Sequence, residues 1–378
     1  MAVRKSFATR SKYIRNRAIF HLPFAHRQPT DTALSKMTNE KMENDKVKMN
    51  KPIRRALSTS AHSCYTTPSF RMAKQGNLQT LLEYSAAKAV LVSFGILPAS
   101  VAMRLGRGMG WLAYLLAREL RRTGAINLRL AFPERSDAER AALLRECFEN
   151  LGRLLGFFSQ FSSRSQKQLQ SLMDVQGLQH LEAAKAVRGN KLILFTGHLG
   201  AWELTSFGLS LVGHPFAFLV RRLDNPRIEQ MVDQVRKRFG NETLDKLSAA
   251  RSMLKLLRSG ETPLGLLPDL NTLDDEAIFI DFFGVPAATT FVVAKLAVRT
   301  KTPLVPVFAP WSEEKGKYLL IVEEPIQIEC TGNEDADVRQ VTIQLTQRIE
   351  NQIRRYPGQW LWIHKRWKTR PQGEPAIY

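Results

Sequence analysis

Cysteine is nearly missing from this chain. Three occur in 378 residues, Cys64, Cys147 and Cys330. They are too few and too scattered for a disulfide framework or a zinc-ligand spacing, which points to a reducing compartment and no structural metal. The G-x-S-x-G signature of a nucleophilic elbow is absent, as is the H-E-x-x-H of a zinc peptidase, so an acyl-enzyme route through an elbow serine is disfavoured. There is no internal repeat. Nor is there a long unbroken apolar run: the best stretch, Tyr84 to Met103, carries Lys88 and Pro98, and the part after Lys88 is shorter than the ~20 residues a bilayer span needs.

Acid is scarce as well. Against 35 Asp and Glu stand 55 Lys and Arg, a net charge of +20, which calls for an anionic partner: nucleic acid, a membrane surface or a phosphorylated substrate. Sixteen Lys/Arg and four Asp/Glu fall within residues 1–75, so this segment holds twelve of the twenty net charges. It lacks sustained period and clusters Ser, Thr and Asn, which reads as a disordered extension. Its Arg- and Ser-rich start resembles a transit peptide, and Met37, Met42, Met49 and Met72 offer later starts if the initiation codon is misplaced. Three regions follow: the extension over 1–75, a membrane-associated helical segment over 76–125, and a catalytic domain over 126–372.

In the second region, GRGMGWLAYLLARELRR is apolar, then amphipathic, and ends in Arg118, Arg121 and Arg122, as suits a segment at a headgroup interface. The alternatives are a monotopic anchor, one short span, or two core helices. Further on, Ser136-Asp137-Ala138-Glu139 has capping-box spacing and predicts a helix to about Phe158. Short apolar runs then alternate with helical patterns: Leu192–Phe195, Phe216–Val220, Leu264–Leu267, Leu304–Phe308 and Tyr318–Val322. Asn225-Pro226 opens a helix closed by Gly240, Ser248 caps one ended by Gly260, Thr289 begins a third, and a last runs from Val338 to Arg355. The predicted fold class is α/β, a largely parallel or mixed central sheet flanked by helices, preceded by membrane-associated helices.

Functional groups of such a sheet collect beyond the carboxyl ends of its strands. His198 lies there, after Leu192–Phe195. Gly197 permits a tight turn, Gly200 lets backbone or ligand approach, and a helix starting near Ala201 puts Glu203 in its first turn. A corner of this kind folds an i, i+5 pair back on itself. Glu203 would then accept the Nδ1–H of His198, fix its tautomer and leave Nε2 to take a proton from a hydroxyl, as attack on a thioester requires. The alternative is a histidine satisfied in the core, with Glu203 an ordinary first-turn acid. Arg221 leaves the next strand end and suits a phosphate; otherwise it is a surface arginine. Asp269 follows Leu264–Leu267, either orienting Arg221 or a donor, or starting a turn. Phe282-Phe283-Gly284 reads as an apolar loop walling an acyl chain, or as core. Trp360, Trp362 and Trp367 interleave with Lys365, Arg366, Lys368 and Arg370. That pattern suits stacking on single-stranded nucleic acid or rings at headgroup depth, and the apolar segment earlier in the chain favours the membrane.

The ordered series formed by NLRLAFPE at Asn127–Glu134, H-x4-E, FLVRRLDNP, LGLLPDLN, FIDFFGVPAATTFVVAKLA, TPLVPVF and QWLWIHKRWKTRP resembles the bacterial lipid A biosynthesis acyltransferases. The resemblance covers Leu78 to Pro371 and implies a glycerolipid-acyltransferase-like fold at the cytoplasmic face of the inner membrane. It implies transfer of a fatty acyl chain from acyl carrier protein, or a coenzyme A thioester, to a hydroxyl of a lipid A precursor, with no other cofactor and no nucleic acid. It assigns the catalytic pair to His198 and Glu203 and places the family's conserved Arg and Asp on Arg221 and Asp269; with Gly200, Phe283 and Gly284 from the reading of the residues above, these make up the expected substrate contacts. The family's Tyr-Arg-Pro is Val220-Arg221-Arg222 here and the Gln after the key Asp is Leu270. A sibling acylating another glycolipid, such as a phosphatidylinositol mannoside, would carry the same pair. The rivals from other classes are a basic nucleic-acid-binding protein and a thioesterase or phospholipase that uses water.

Overall fold

A computed structural model describes residues 77–220, 222–245, 249–273 and 277–378. The expected extension over 1–75, Arg221 and the Ser248 cap lie outside the described residues. The chain divides into two units, Met1–Tyr84 and Ser85–Tyr378, and the contacts that follow all lie within the second.

Helix α1 (Asn77–Ile96) ends two residues before Pro98, which precedes α2 (Ala99–Leu116). A proline fits there because its φ suits a helix start and it has no N–H to lose. The carbonyls left open at the end of α1 are filled from a short turn at Ser159–Ser162 and the residues after it: Gln160 Nε2 donates to Phe94 O at 2.8 Å, Ser163 Oγ to Gly95 O at 3.1 Å and Arg164 Nη2 to Leu97 O at 2.7 Å. Helix α3 (Arg118–Ala131) follows, then α4 (Asp137–Phe158). The predicted capping box starts α4, Ser136 N donating to Glu139 Oε2 at 2.8 Å while Ser136 Oγ accepts from Glu139 N.

Helices α2 and α4 meet backbone to backbone. A Cβ on Gly106 would lie 2.2 Å from Gly152 O, one on Gly152 2.0 Å from Gly106 O, one on Gly110 2.1 Å from Phe148 O and one on Gly156 2.4 Å from Ala102 O. Glycines spaced four apart on both helices make this approach possible, the small-xxx-small geometry of close helix pairs. The opposite face of α2 stays apolar and exposed through Val101, Leu105, Met109, Leu112, Leu115 and Leu116. Among the described residues no helix is long and apolar enough to cross a membrane.

Helix α5 (Gln166–Gln170) leads into the sheet domain, whose strands are β1 (Met173–Gln176), β2 (Ile193–Phe195), β3 (Ala217–Val220), β4 (Glu242–Asp245), β5 (Leu264–Leu266), β8 (Leu304–Phe308), β9 (Trp311–Ser312) and β10 (Lys317–Val322). Their order is β1-β10-β8-β2-β5-β3-β4, with β9 on β10. The five strands from β8 to β4 are parallel, and β10 runs against β8, so the sheet is mixed with a parallel centre. Around it lie α6 (Leu178–Arg188), α7 (Trp202–Leu211), α8 (Pro226–Lys237), α9 (Ala249–Ser259), α10 (Val292–Thr300) and α11 (Glu334–Arg355). Alternate residues of the central strands, Leu192, Leu194, Val305, Val307, Leu320 and Val322, pack with Leu181 of α6 and Leu209 of α7, the two-sided burial that a parallel centre requires.

The predicted α/β class and five apolar strands match these elements, and Asn225 caps α8 through Arg227 N and Ile228 N with Pro226 in the first turn. Two readings are corrected. Thr289 begins no helix. It sits in β7 (Val285–Thr290), which pairs antiparallel with β6 (Ala277–Phe282), and α10 starts only at Val292. The last helix starts at Glu334, capped by Asn333, because its first turn is acidic and lies outside the apolar period.

The helix pair gives a stability test. Gly152→Ala should lower unfolding free energy by about 1–3 kcal/mol or more, since both colliding groups are backbone. Gly108→Ala, where a Cβ would meet nothing within 4 Å, should instead gain up to about 1 kcal/mol of helix propensity. Equal denaturation midpoints for the two variants would refute the close packing.

Candidate active site

Strands β2 and β5 are parallel neighbours in register, Phe195 opposite Leu266. Three residues beyond that pair the chains reach His198 and Asp269. Equal offsets from paired residues bring the two side chains to the same level at the carboxyl edge of the sheet. There Asp269 Oδ1 lies 2.7 Å from His198 Nδ1, while Oδ2 accepts the His198 backbone N–H at 2.7 Å and the Trp360 Nε1–H at 2.8 Å. Gly197 makes room: a Cβ on it would lie 3.1 Å from Asp269 Oδ2 and 2.9 Å from Ile349 Cγ2.

The loop that carries His198 is pinned on both sides. Gly200 has φ +59 and a Cβ on it would lie 2.2 Å from Ala309 O, so glycine is needed for the turn and for backbone contact with the end of β8. Gly200 N donates to Gln359 O at 2.9 Å, Ala201 N to Ala309 O at 2.8 Å and Leu361 N to His198 O at 3.0 Å. Asn150 of α4 reaches the Gly200 carbonyl at 3.4 Å.

Asp269 is 3% exposed. Burial alone would raise its carboxyl pKa, but attraction to His198 and the hydrogen bonds from His198 and Trp360 outweigh it and hold the group down at about 2. An ionised Asp269 can only accept, so His198 turns an Nδ1–H towards it, and in the neutral ring Nε2 is the nitrogen that carries the lone pair. The imidazole keeps 14% of its side-chain surface exposed, and among the described residues Nε2 makes no hydrogen bond. Trp202 flanks the ring at 5.3 Å between centroids.

The bracing role expected of Glu203 is therefore corrected. Glu203 does fall in the first turn of α7, but Oε1 accepts from Arg236 Nη2 at 2.8 Å and Oε2 from Arg236 Nε at 3.2 Å. Arg236, on α8, is buried; burial opposes its charge, and Glu203 more than offsets that, so its pKa is raised. The signal that points to Asp269 is the equal three-residue offset from two apolar runs, which acquires meaning only once β2 and β5 are known to be neighbours.

Phe283 and Gly284 make a hairpin turn between β6 and β7, both with positive φ (53 and 74), as a type I′ turn requires. Phe283 packs on Phe132 at 5.2 Å and Trp362 at 5.9 Å under the Arg354 guanidinium, and its N–H donates to Glu350. These contacts belong to a core rather than to the His198 face. The tryptophans expected at headgroup depth are likewise corrected: Trp360, Trp362 and Trp367 are each 0% exposed. Trp360 and Trp362 stack edge to face at 4.7 Å, and Phe282 bridges Trp360 and Trp367. Buried Arg366 donates to Ala288 O and Thr289 Oγ1 at 2.6 Å each; burial lowers its pKa to about 10. Two of the phrases noted in the sequence also touch, since Asn127 Nδ2 donates to Trp362 O and His364 O at 2.6 Å. Among the described residues no group of three or more His, Cys, Asp and Glu is placed to hold a metal ion.

A carboxyl depressed in the folded state stabilises above its unfolded pKa, ~3.9, and that contribution is lost as pH falls towards its folded value. Asp269→Asn should therefore be less stable than the parent by on the order of 2 kcal/mol at pH 6, with the gap closing between pH 4 and 2. Urea titrations of both proteins across that range check it, and a gap independent of pH would contradict the ionised, triply bonded carboxylate.

Over residues 71–369 the chain matches the family described as bacterial lipid A biosynthesis acyltransferase. It is 31% identical over 288 residues to the lipid A biosynthesis lauroyltransferase of Escherichia coli strain K12, covering 75% of this chain and 90% of that protein. A lipid A biosynthesis acyltransferase of Haemophilus influenzae is 28% identical over 258 residues, 68% of this chain and 79% of the relative. The Escherichia coli K12 lipid A biosynthesis myristoyltransferase is 27% identical over 278 residues, 74% and 83% of the respective lengths. With so much of its length matched, the chain belongs to the bacterial lipid A biosynthesis acyltransferase family.

Proposed function

We propose that the protein transfers a fatty acyl chain from an acyl carrier protein or coenzyme A thioester to a hydroxyl of a lipid A precursor or closely related phosphorylated glycolipid. The observation that carries the reading is His198, its Nδ1 held by Asp269 at 2.7 Å and its Nε2 without a hydrogen-bond partner among the described residues. In this mechanism Nε2 takes the acceptor hydroxyl's proton as that oxygen attacks the thioester carbonyl. The tetrahedral oxyanion collapses, the carbon–sulfur bond breaks, and the departing thiolate takes the proton back from the imidazolium. Asp269 stabilises the transient imidazolium and keeps the ring in one tautomer. No enzyme-bound acyl intermediate is needed. General-base assistance of this kind supplies ~10²–10⁴ in rate, and alignment of the two substrates much of the remainder.

The acceptor and the acyl chain are both lipids, and the exposed apolar face of α2 supports docking on the membrane that supplies them. In this reading α2 lies in the interface, its Val101–Leu116 face in the acyl region, on the cytoplasmic side of the inner membrane where the thioester donors are found. The net charge of +20 fits an anionic membrane and a phosphorylated acceptor.

The test is turnover of a lipid A precursor in mixed micelles with an acyl carrier protein thioester, read by mass spectrometry. The wild type should yield a lipid heavier by one acyl group; release of free fatty acid instead would make it a thioesterase. His198→Ala should abolish transfer, and Asp269→Asn should lower kcat by ~10²–10⁴ with KM little changed, because it disturbs the base and not the binding. Glu203→Gln should show its main effect in melting temperature, since it leaves a buried guanidinium poorly paired. Wild-type kcat in the Asp269 variant would overturn the assignment of the base.

A further inference from the structure

The geometry points to a second binding site, on α3: an arginine-lined hollow that takes the phosphate of an anionic phospholipid. The inference rests on the membrane-docked reading of α2. Arg118, Arg121, Arg122, Ala125 and Arg129 follow one another at i, i+3, i+4, i+7 and i+11, so they share one face of α3. The short side chain of Ala125 leaves a gap in the arginine stripe. Tyr114 from α2 and Arg140, Ala141 and Leu144 from α4 close it into a cavity of about 430 Å³.

Five guanidiniums line this cavity against one carboxylate, Asp137. Asp137 is already taken, with Arg140 Nη2 at 2.7 Å and Arg129 Nη2 at 3.7 Å. Arg140 is taken too, its Nη1 donating to the Phe132 and Pro133 carbonyls at 3.0 and 3.3 Å. Arg121 is held over the Tyr114 ring at 5.2 Å. Arg118 and Arg122 are exposed, and among the described residues their guanidiniums have neither ion pair nor hydrogen bond. Like charges at i, i+4 repel. An empty hollow is thus self-repelling, and an anion bound between Arg118, Arg122 and Arg129 relieves it, with guanidinium forks matched to phosphate oxygens.

The position selects the source of the phosphate. Helix α3 begins two residues after Leu116, where the exposed apolar face of α2 ends, and Tyr114 of that same helix lines the cavity. Trp111, 47% exposed, stands one turn earlier. Exposed Leu112, Leu115 and Leu116 and the aromatics Trp111 and Tyr114 thus lie within two turns of Arg118, so apolar surface, interfacial aromatics and arginines adjoin as they do where acyl chains meet phosphates in a bilayer leaflet. A phospholipid carries both chemistries in one molecule, whereas an acidic protein would satisfy the arginines and leave the apolar face uncovered.

Cosedimentation of the full chain with phosphatidylcholine vesicles, and with equimolar phosphatidylcholine and phosphatidylglycerol, tests this. The wild type should bind the mixed vesicles more tightly. Arg118→Ala with Arg122→Ala should lose at least about tenfold in affinity for them while keeping its binding to phosphatidylcholine. Lys167→Ala with Arg188→Ala, an equal loss of charge at exposed sites elsewhere, should bind mixed vesicles like the wild type. Equal losses in the two double variants would overturn the site, as would displacement by millimolar inorganic phosphate. Unchanged vesicle binding with a raised KM for acyl carrier protein in the arginine variant would overturn it in favour of an acidic protein. Wild-type binding that is equal on both vesicles sinks this inference alone; absence of binding to either sinks the membrane reading with it.

Discussion

The carboxylate of Asp269 is the group on which the site depends. It is buried, so its charge survives only because three donors converge on it: the ring and the backbone of His198 and the indole of Trp360. Each comes from a different part of the chain, and each is fixed because of the carboxylate. The loop after β2 is held to β5 through the His198 backbone, the imidazole is turned by its Nδ1, and the C-terminal segment is seated through Trp360. In the proposed role of base, a ring whose orientation is set in this way needs little reorganisation when it reacts. Gly197 and Gly200 belong to the same arrangement, the first leaving space for the carboxylate and the second letting the loop lie against Ala309.

Much of this was legible in the sequence wherever the determining interaction is local. The capping box of α4, the Asn-Pro start of α8 and the apolar runs of the central strands declare themselves within a few residues, and they became helices and strands at those places. His198 stood out by its place between glycines at the end of an apolar run, and the resemblance gave that position a role. Its partner was not legible, because a spacing of five residues suggests proximity to Glu203 whereas the register of two strands seventy residues apart confers it on Asp269. The same limitation misplaced Thr289. Its neighbours Phe291, Val292 and Val293 continue an apolar pattern into a helix, but Val285–Thr290 is claimed by pairing with Ala277–Phe282, a partner that the pattern itself does not reveal.

The C-terminal aromatics show a second kind of failure. Tryptophans alternating with cations look interfacial in a linear reading. In the fold the cation that sits among them, Arg366, is itself buried, its two Nη groups donating to Ala288 O and Thr289 Oγ1, while Lys365 and Lys368 are exposed. The rings serve instead to fill the space beside the β6–β7 hairpin and to present one indole N–H to Asp269. Burial on this scale makes the segment part of the core despite its charge, and the exposed tryptophan beside an apolar face is Trp111, on α2.

Helix α4 joins these parts mechanically. Along one side its Phe148, Gly152 and Gly156 backbones touch α2. Between those positions Asn150 reaches the carbonyl of Gly200, and one turn earlier Cys147 Sγ lies 3.1 Å from Trp360 O. The helix that grips the apolar α2 thus also touches the loop that carries His198 and the segment that braces Asp269. Contacts made backbone to backbone have no side-chain rotamers through which to slacken, so the distance between the apolar face of α2 and the His198 loop is set by the thickness of one helix pair. In the reading proposed above, where α2 rests on lipid and Nε2 of His198 takes the proton, a fixed offset between that face and that nitrogen limits which hydroxyl of a membrane-held acceptor is reached, so Gly106, Gly110, Gly152 and Gly156 bear on the reaction although they lie on helices that do not carry His198.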